Sequence, residues 1–253
     1  MRYRVVVAGG SVRGVIHERE GKECQDSIFT WRSKDKLEAY VAVSDGAGSY
    51  KYSKIGADLS VRLPLDFIRN QINLFLVNPE EMKCMMVDYI QAKLLNTSVN
   101  LGISMKELSA TLHFVYLKRY RKINKCIIGS LGDGVIIAEN EGHISVVAHP
   151  EKGEFANETY FLTMDQAKKK MNVCVKEYKG KVGFILLSDG AAESIYIRKT
   201  RSCNHKYCSQ IFRWCDYYSK RKIEKIIKLN LEDGIFRKVS PDDCSIGVLR
   251  TSK

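Results

Sequence analysis

The amino-acid sequence predicts an α+β protein in which antiparallel sheets are covered by helices on their outer faces. Three observations support this fold class. Short apolar segments follow one another at tight turns, as they do in antiparallel sheets. Longer amphipathic segments lie between groups of strands and not after every strand, which argues against a regular βαβ order. A chain of 253 residues, of which 45% are hydrophobic and 28% charged, can bury a large core without disulfides.

The first strands and helices follow from local patterns. Tyr3–Ala8 and Ala39–Ser44 are rich in β-branched residues and end at glycine or at Ser-Asp-Gly, so both are predicted strands. Apolar residues recur at helical spacing over Ile55–Val77, which predicts one long helix with a kink near Pro64. Glu81–Leu95 is a second predicted helix, because an Asn-Pro pair precedes it and interrupts the first.

The rest of the chain is rich in strands. Four short strands are predicted in its middle part: Ala110–Leu117, Asn124–Ser130, Val135–Glu139 and His143–His149. The segment Glu139–Gly142, between the last two, carries a hairpin signal. A basic helix is predicted over Ser209–Leu229, between strands at Val182–Leu187 and Cys244–Leu249.

We expect residues 1–253 to form a single domain, since the chain shows no repeat, no linker-like segment and only four prolines. Its longest apolar runs are far shorter than the ~20 residues that a membrane-spanning helix needs. The first residues lack the apolar stretch of a signal peptide. The sequence therefore predicts a cytoplasmic protein without a membrane partner.

The eight cysteines do not form a disulfide framework, because they are scattered along the chain and no export signal accompanies them. One group needs separate consideration: Cys203, His205, Cys208 and Cys215. Zinc sites usually combine two closely spaced pairs of ligands, and this segment has a single Cys-x4-Cys pair. We therefore predict free thiols here and no zinc.

The net charge of +12 is concentrated between residues 196 and 228. This basic segment contains ten Lys or Arg and two acids, a surplus of eight positive charges. Such a surplus can attract nucleic acid, an anionic membrane or an acidic protein. No recognisable nucleic-acid motif accompanies it, so a solvated helix face is the simplest interpretation and no nucleic-acid partner is expected.

Several carboxylates stand where predicted strands reach the surface: Asp26, Asp45, Asp133, Asp189 and Asp242. If these strands are neighbours, the carboxylates converge, and cations between them relieve their repulsion. Oxygen ligands without His or Cys suit Mg²⁺ or Mn²⁺. Two such ions suit the hydrolysis of a phosphate ester. Taken singly, each Asp-Gly pair is better explained as a solvated turn.

The order and spacing of these segments resemble the protein phosphatase 2C family of metal-dependent Ser/Thr protein phosphatases. Six motifs follow the family order: Gln25-Asp26, Ser44–Gly48, Leu108–Leu112, Gly129–Gly134, Leu187–Gly190 and Asp242–Ile246. Together they cover essentially the whole chain. The stretch Gly153–Thr159 resembles the divergent bacterial branch of the family.

The resemblance implies a four-layer α-β-β-α sandwich, with two antiparallel sheets flanked by pairs of helices. It also implies two Mn²⁺ or Mg²⁺ ions at one end of the sandwich, with a third, weaker ion possible beside them. The implied ligands are Asp45, which bridges both ions, the Gly46 carbonyl, Asp189 and Asp242, with Asp26 holding a metal-bound water and Asp133 and Glu193 holding the third ion.

This sequence departs from the family pattern at the residue expected to grip the phosphate, which is often an arginine shortly before the first acidic motif. His17 takes that place here, with Arg13 and Arg19 as alternatives. Asp243 stands where an asparagine is usual, a change that removes no metal ligand.

The resemblance implies a phosphomonoesterase that removes phosphate from phosphoserine or phosphothreonine of proteins. A water that bridges the metals would attack phosphorus directly, with Asp26 and His17 as catalytic residues. The implied partners are a phosphorylated protein and a Ser/Thr kinase, and the protein is expected to be a monomer. Two alternatives are a pseudophosphatase with a binding role and a nucleic-acid-binding protein that uses the basic segment.

Overall fold

A computed structural model of the chain describes residues 4–151, 159–233 and 235–252. The first part runs through β1 (Arg4–Val12), α1 (Val15–Arg19), β2 (Ser27–Arg32), β3 (Glu38–Ser44), α2 (Ser53–Ser60), α3 (Leu63–Val77), α4 (Pro79–Leu101), a 3₁₀ turn (Met105–Leu108), β4 (Leu112–Tyr120), β5 (Ile123–Leu131), β6 (Val135–Asn140) and β7 (His143–Ala148). The second part continues through α5 (Ala167–Lys170), β8 (Asn172–Lys179), β9 (Val182–Leu187), α6 (Asp189–Ile195), β10 (Tyr196–Ile197), β11 (Ser202–Cys203), α7 (His205–Tyr217), α8 (Lys220–Asp233), α9 (Ile235–Val239) and β12 (Cys244–Ser252).

The long strands form two five-stranded sheets in which all neighbours are antiparallel. The first sheet has the order β1-β12-β9-β6-β7, and the second has the order β2-β3-β4-β5-β8. Helices α2, α3 and α4 pack on the outer face of the second sheet. Helices α6 to α9 pack on the outer face of the first. The predicted α-β-β-α fold class is confirmed.

Alternation along the strands divides the core into layers. Val41 and Val43 of β3 are buried between the two sheets together with Phe184 of β9. Tyr40 and Ala42 point the other way, under the helices of the second sheet. Burying an apolar side chain of this kind contributes roughly 1.5–3 kcal/mol. Buried side chains on both faces therefore fix the register of the strands, and with it the positions of the strand ends.

The hairpin predicted at Glu139–Gly142 is confirmed, since it joins β6 to β7. Glu141 has φ 50° and Gly142 has φ 89°. Two central residues with positive φ make a type I′ turn, whose twist matches the twist of the paired strands.

The single helix predicted over Ile55–Val77 is two helices, α2 and α3. The chain breaks after Ser60 and starts again at Leu63, with Pro64 in the first turn of α3. Proline has no N–H to donate to a preceding turn, so it begins a helix more readily than it continues one.

The basic helix predicted over Ser209–Leu229 is also two helices, α7 and α8. Tyr218 is extended, with φ −108° and ψ 159°, and ends α7. The guanidinium of Arg4 donates hydrogen bonds to the backbone carbonyls of Asp216 and Tyr218. It thereby satisfies carbonyl groups that a helix end leaves without a partner. These hydrogen bonds join residues more than 200 positions apart in the sequence. No local sequence pattern therefore predicts where α7 ends.

Strand β8, which completes the second sheet, and the small hairpin β10–β11 were not predicted. In the part of the chain that the structure describes, none of the helices has the length and apolar character needed to cross a bilayer. The cytoplasmic location stays a prediction. Most of the stretch Gly153–Thr159 lies outside the described residues.

Candidate metal centre

Three carboxylates converge at one end of the sandwich: Asp45, Asp133 and Asp189. Asp45 follows β3, Asp133 lies in the turn between β5 and β6, and Asp189 begins α6 directly after β9. One carboxylate oxygen of each lies within 4.8 Å of those of the other two. Both sheets contribute, because β3 and β5 belong to the second sheet and β9 to the first.

The backbone of Asp45 is fixed by Thr111 at the start of the neighbouring strand. The N–H of Asp45 donates to the Thr111 hydroxyl at 2.9 Å, and the N–H of Thr111 donates to the Asp45 carbonyl at 2.8 Å. A Cβ on Gly46 would lie 2.9 Å from the carbonyl oxygens of Gln25 and Ser53. The close approach of three backbone segments therefore requires glycine after Asp45.

The turn that carries Asp133 is held from both sides. The hydroxyl of Thr159 donates to the Asp133 carboxylate at 2.7 Å. The buried ring of His113 accepts a hydrogen bond from the N–H of Gly134 at 3.1 Å. Burial lowers the pKa of His113 to about 3, so this ring is neutral and remains an acceptor at neutral pH.

Asp189 is placed by the junction of β9 with α6. The N–H of Gly190 donates to the Asp189 carboxylate at 2.6 Å. A Cβ on Gly190 would collide with the carbonyl oxygen of Asp243. Glycine at 190 thus allows the start of α6 to lie directly against the start of β12, next to Asp242.

Asp26 is the most deeply buried of these acids, with 3% of its surface exposed. Neither of its carboxylate oxygens has a hydrogen-bond partner among the described residues. Burial, with a further contribution from the charge of Asp243, raises the pKa of Asp26 to about 7, although the nearby hydroxyls of Ser245 and Ser188 partly oppose this rise. A buried carboxylate without donors is costly unless a cation or a bound water satisfies it.

The site as a whole has an excess of negative charge. Burial, and then repulsion from Asp26, Asp189, Asp242 and Asp133, raises the pKa of Asp45 well above its usual range. Burial, with repulsion from Asp133, Asp242 and Asp26, raises the pKa of Asp189 to about 8. Hard divalent cations balance such a set of oxygen donors, because they supply charge and accept several carboxylates at once. The residues present therefore fit Mg²⁺ or Mn²⁺.

A second group lies beside the first and consists of His17, Asp242 and Asp243, whose donor atoms lie within 4.8 Å of one another. The buried carboxylate of Asp243 accepts hydrogen bonds from the backbone N–H groups of Gly14 and Gln25, each at 2.6 Å. Asp243 thus joins the start of α1 and the residue before Asp26 to β12. Asp242 is exposed, and its carboxylate accepts the N–H of Asp243 at 2.8 Å.

The remaining residues of the predicted site occupy different settings. Gly46 is buried beside Asp45. Glu193 is exposed on α6, one turn after Asp189, and is not part of the group formed by Asp45, Asp133 and Asp189. Arg13 and Arg19 are both exposed, and Arg13 donates to the carbonyl of Lys22 at 3.1 Å.

Lys54 is a supporting residue that sequence reasoning missed. Its ammonium donates to the backbone carbonyl of Asp26 at 3.2 Å, to the hydroxyl of Ser27 at 2.8 Å and to Asp58 at 2.8 Å. A lysine directly before a predicted helix and four residues before an aspartate in its first turn suggests an ordinary surface ion pair. Its link to Asp26 depends on how α2 packs against β2, which no local pattern reports.

The cysteines considered for zinc lie in the apolar core under the helices of the first sheet. Cys203, Cys208 and Cys215 are buried there, whereas His205 is exposed at the start of α7. The prediction that this group holds no zinc stays a prediction.

A cleft of about 470 Å³ opens beside the carboxylates. Its wall includes Thr159, which donates to Asp133, and Tyr50, which follows the loop that begins at Asp45. Phe161 and Met164 add apolar surface, and Lys106 and Asp165 add one charge of each sign.

Comparison with known proteins gives the same family from sequence and from structure. The model of the protein phosphatase 2C family matches residues 13–228. Serine/threonine-protein phosphatase 3 of Escherichia coli (strain K12) is 24% identical over 171 residues, which cover 66% of this chain and 65% of that protein. The match thus spans just under two thirds of that relative's length.

Two solved structures share the fold along nearly the whole chain. The catalytic domain of serine threonine protein phosphatase PstP, in complex with two manganese ions, has a TM-score of 0.61 at 11% identity, with 100% of both chains covered. The serine/threonine phosphatase of S. agalactiae has a TM-score of 0.60 at 10% identity, with 97% of this chain and 99% of that chain covered. The family model, the order of the acidic motifs and the shared fold agree, and this chain belongs to the protein phosphatase 2C family.

Proposed function

We propose that the protein is a metal-dependent phosphatase that removes phosphate from phosphoserine and phosphothreonine of proteins. The observation that carries this proposal is the meeting of Asp45, Asp133 and Asp189 within 4.8 Å, beside the buried and unpartnered Asp26. Carboxylates this close to one another repel, and bound metal ions would offset that repulsion. The cluster is therefore best explained as a set of metal ligands. Family membership identifies the reaction class that these ions serve.

Two Mn²⁺ or Mg²⁺ ions fit this donor set, with a third, weaker ion beside them. Asp45 would hold both ions, together with the Gly46 carbonyl, Asp189 and Asp242. Asp133 and Glu193 would hold the third ion. When bound, the ions supply positive charge for the phosphoryl oxygens and activate a water molecule for attack on phosphorus.

Two residues of the chain have catalytic roles in this proposal. Asp26 would accept a hydrogen bond from the attacking water, since both of its carboxylate oxygens are buried and neither makes a well-formed hydrogen bond within the part of the chain that the structure describes. His17 would bind the phosphate through Nε2. Its Nδ1 lies 3.0 Å from Asp243, which leaves Nε2 as the nitrogen on the side of Gly48 in the Asp45 loop. The exposed Arg13 and Arg19 are the alternatives for this role.

The proposed substrate is a phosphorylated protein, and a partner Ser/Thr kinase would add the phosphate that this enzyme removes. The enzyme is proposed to act as a monomer. The cleft beside the centre supports a polypeptide substrate. It joins apolar surface at Phe161 and Met164 to the hydroxyl of Thr159 that contacts Asp133. We also infer one catalytic domain over residues 1–253, because both sheets contribute to the core and to the metal centre.

The alternative of a pseudophosphatase shares every feature of the fold and differs only in turnover. It is not favoured, because a binding protein has no need to maintain repelling carboxylates in a half-buried cluster. Asp45, Asp133, Asp189 and Asp242 are all present, and none is replaced by a neutral residue.

Phosphate release from phosphoserine and phosphothreonine peptides tests the proposal. We expect release with added Mn²⁺ or Mg²⁺, none after chelation with EDTA, and loss of release in Asp189→Asn. Asp88→Asn is the matched control, because Asp88 pairs with Lys168 on the outer helices and lies outside the carboxylate cluster. If the purified protein binds Mn²⁺ but releases no phosphate from any peptide or from para-nitrophenyl phosphate, the pseudophosphatase interpretation is correct.

A further inference from the structure

The outer surface of α7 carries a groove of about 460 Å³ on the helical layer of the first sheet. Its walls combine the aromatic rings of Trp214, Tyr217 and Tyr218 with the positive charges of Lys206 and Arg213. Trp, Tyr and Arg are the residues that most often dominate binding energy at protein interfaces. No residue of the metal centre lines this groove.

Tyr217 is exposed over 76% of its surface. Among the described residues, most of the other exposed large hydrophobic side chains are less exposed than this one. An aromatic ring gains little by facing water, and contiguous exposed apolar surface usually marks a binding site. Trp214 and Tyr218, by contrast, pack partly against the apolar cluster under the helices. The floor of the groove is therefore rigid, and Tyr217 stands at its edge.

The charged residues that line the groove are all positive. None of the residues that line it is acidic. Asp216, the only acid of α7, is turned inward, where its carboxylate meets Lys181 at 2.7 Å and Arg250 at 3.3 Å. The ammonium of Lys222 lies 4.0 Å from the centre of the Tyr218 ring and adds positive charge at the end of the groove. A ligand for this surface has to be anionic and to carry apolar groups.

We propose that this groove is a docking site for an acidic segment of the phosphoprotein substrate, at a distance from its phosphorylated residue. This inference rests on the proposed function, because the substrate is the macromolecule that a protein phosphatase has to hold. Lys206 and Arg213 are seven residues apart, which places them on one face of the helix and ~10 Å apart along its axis. Two carboxylates three residues apart on a peptide in the polyproline II conformation lie on one face with nearly the same spacing, at about 3.1 Å per residue and three residues per turn.

A polypeptide fits this groove better than a nucleic acid. A single strand of nucleic acid carries a charge on every phosphate and is held by a track of cations. The lining of this groove provides two cations over the length of α7. The remaining surface is aromatic, which suits an acidic peptide that also presents apolar side chains.

The Tyr217–Tyr218 end of the groove lies at the opposite end of the first sheet from the carboxylates. Arg4, which donates to the Tyr218 carbonyl, pairs with Ser252 at the end of β12, whereas Asp242 precedes the beginning of β12. Nine residues of strand separate the two ends by ~30 Å. Docking there raises the effective concentration of the phosphorylated residue at the metal centre, so it should lower KM and leave kcat unchanged.

Two phosphothreonine peptides with the same sequence around the phosphate test this prediction. One carries an added segment rich in Asp and Glu with one Phe, joined by a Gly/Ser linker of about 30 residues that spans roughly 30 Å. We expect a KM about tenfold lower for the tethered peptide, and we expect Arg213→Glu with Tyr217→Ala to remove that advantage. Lys122→Glu with Val77→Ala is the matched control, because it makes the same change in charge and removes an exposed apolar side chain away from the groove.

Direct binding provides the second measurement. The chain has two tryptophans, and Trp214 lines the groove, so a Trp31→Phe background leaves one reporter at the site. The unphosphorylated acidic peptide should change its emission, and the same peptide with Asn and Gln in place of Asp and Glu should not. Equal KM values for both substrates, or tighter binding of a single-stranded oligonucleotide or of anionic vesicles than of the acidic peptide, would overturn the docking site.

The two proposals fail separately. Hydrolysis of para-nitrophenyl phosphate reports the metal centre alone and should be the same in wild type, in the groove variant and in the control. If that activity is present and the tethered segment gives no advantage, the docking proposal is wrong and the proposed function stands. If that activity is absent in the wild-type protein, the proposed function is wrong, and the fluorescence measurement still decides whether the groove binds acidic peptide.

Discussion

His17 and Asp243 form a buried pair, with Nδ1 of the imidazole 3.0 Å from Oδ2 of the carboxylate. The same carboxylate accepts two backbone N–H groups, from Gly14 and Gln25. Three hydrogen-bond donors from two segments of the chain thus contact the carboxylate of Asp243. This arrangement links the residue proposed to bind phosphate to the segment that carries Asp26.

Removing this carboxylate should destabilise the fold. Asp243→Ala leaves two buried N–H groups and an imidazole without an acceptor, and each unsatisfied group costs about 1–3 kcal/mol. We expect a loss of roughly 2–5 kcal/mol in the free energy of unfolding, measured by urea denaturation. Asp243→Asn keeps one oxygen acceptor and should lose less. A surface change, Asp88→Ala, is the control, and equal stability of all three variants would contradict this role.

Asp45→Asn should separate activity from stability. The change keeps the shape of the side chain and removes the anion proposed to bridge the two metals, so turnover of para-nitrophenyl phosphate should fall on the order of 10²–10⁴-fold. The metal-free variant should be at least as stable as the wild type, because one member of a repelling cluster is neutral. A Tm about 2–4 °C higher would correspond to roughly 1 kcal/mol for a chain of this size. Near-normal turnover in this variant would disprove the metal assignment.

The stability of the metal-free protein should fall as the pH rises from about 4 to about 8, between the ordinary carboxylate pKa of 3.8 and the raised pKa values of about 7 for Asp26 and about 8 for Asp189. Both pKa values are raised, so the folded state keeps protons that the unfolded chain has already released. Their contribution to stability is complete below the unfolded-state pKa, decreases as the pH rises toward the folded-state pKa values, and is lost above them. In EDTA we expect a lower Tm at pH 8 than at pH 6.

Saturating Mn²⁺ should reverse this dependence, since the metal binds the ionised carboxylates of the folded state and stabilises it by mass action. The comparison of Tm at both pH values, with EDTA and with Mn²⁺, provides the measurement. Asp45→Asn should flatten the slope seen in EDTA. A Tm that rises from pH 6 to pH 8 without metal would contradict the cluster's raised pKa values.

Lys54 should matter for metal binding although it is not a proposed ligand. Lys54→Met removes the donor to the Asp26 carbonyl and to Ser27, and loss of such support around a metal site commonly weakens affinity by about 10–100-fold. We expect the Mn²⁺ concentration for half-maximal activity to rise about tenfold, with kcat at saturating Mn²⁺ little changed. Lys83→Met is the matched control, because Lys83 pairs with Glu80 on the outer helix α4. The same shift in both variants would mean that the effect is a general one of lost charge.

Purified protein should contain no stoichiometric zinc. Cys203, Cys208 and Cys215 lie in an apolar cluster and His205 is exposed, so a tetrahedral site would require the helix to rearrange. Elemental analysis after purification without added metal gives the measurement. About one zinc per chain that disappears in Cys208→Ser would show that this prediction is wrong.

The acidic motifs could be predicted because each places a carboxylate next to a predicted strand, at Asp-Gly for Asp45, Asp133 and Asp189. Their order along the chain identified the family. Local patterns also predicted the hairpin at Glu141 and Gly142, since positive φ at two successive residues has a strong sequence preference. Helix boundaries were less accurate. Pro64 restarts a helix that periodicity alone extends, and α7 ends where Arg4 reaches its carbonyls from the first strand.

The sequence by itself determined the fold class, the family and the set of candidate ligands, because apolar periodicity, turn residues and motif order are local properties of the chain. Only the tertiary structure decided that Asp45, Asp133 and Asp189 meet within 4.8 Å while Glu193 faces solvent outside that group. It also decided that Asp243 and Lys54 support Asp26 and that the cations of α7 border an aromatic groove. These relationships depend on distances between segments far apart in the chain. Sheet register and helix packing set those distances, and no residue pattern encodes them on its own.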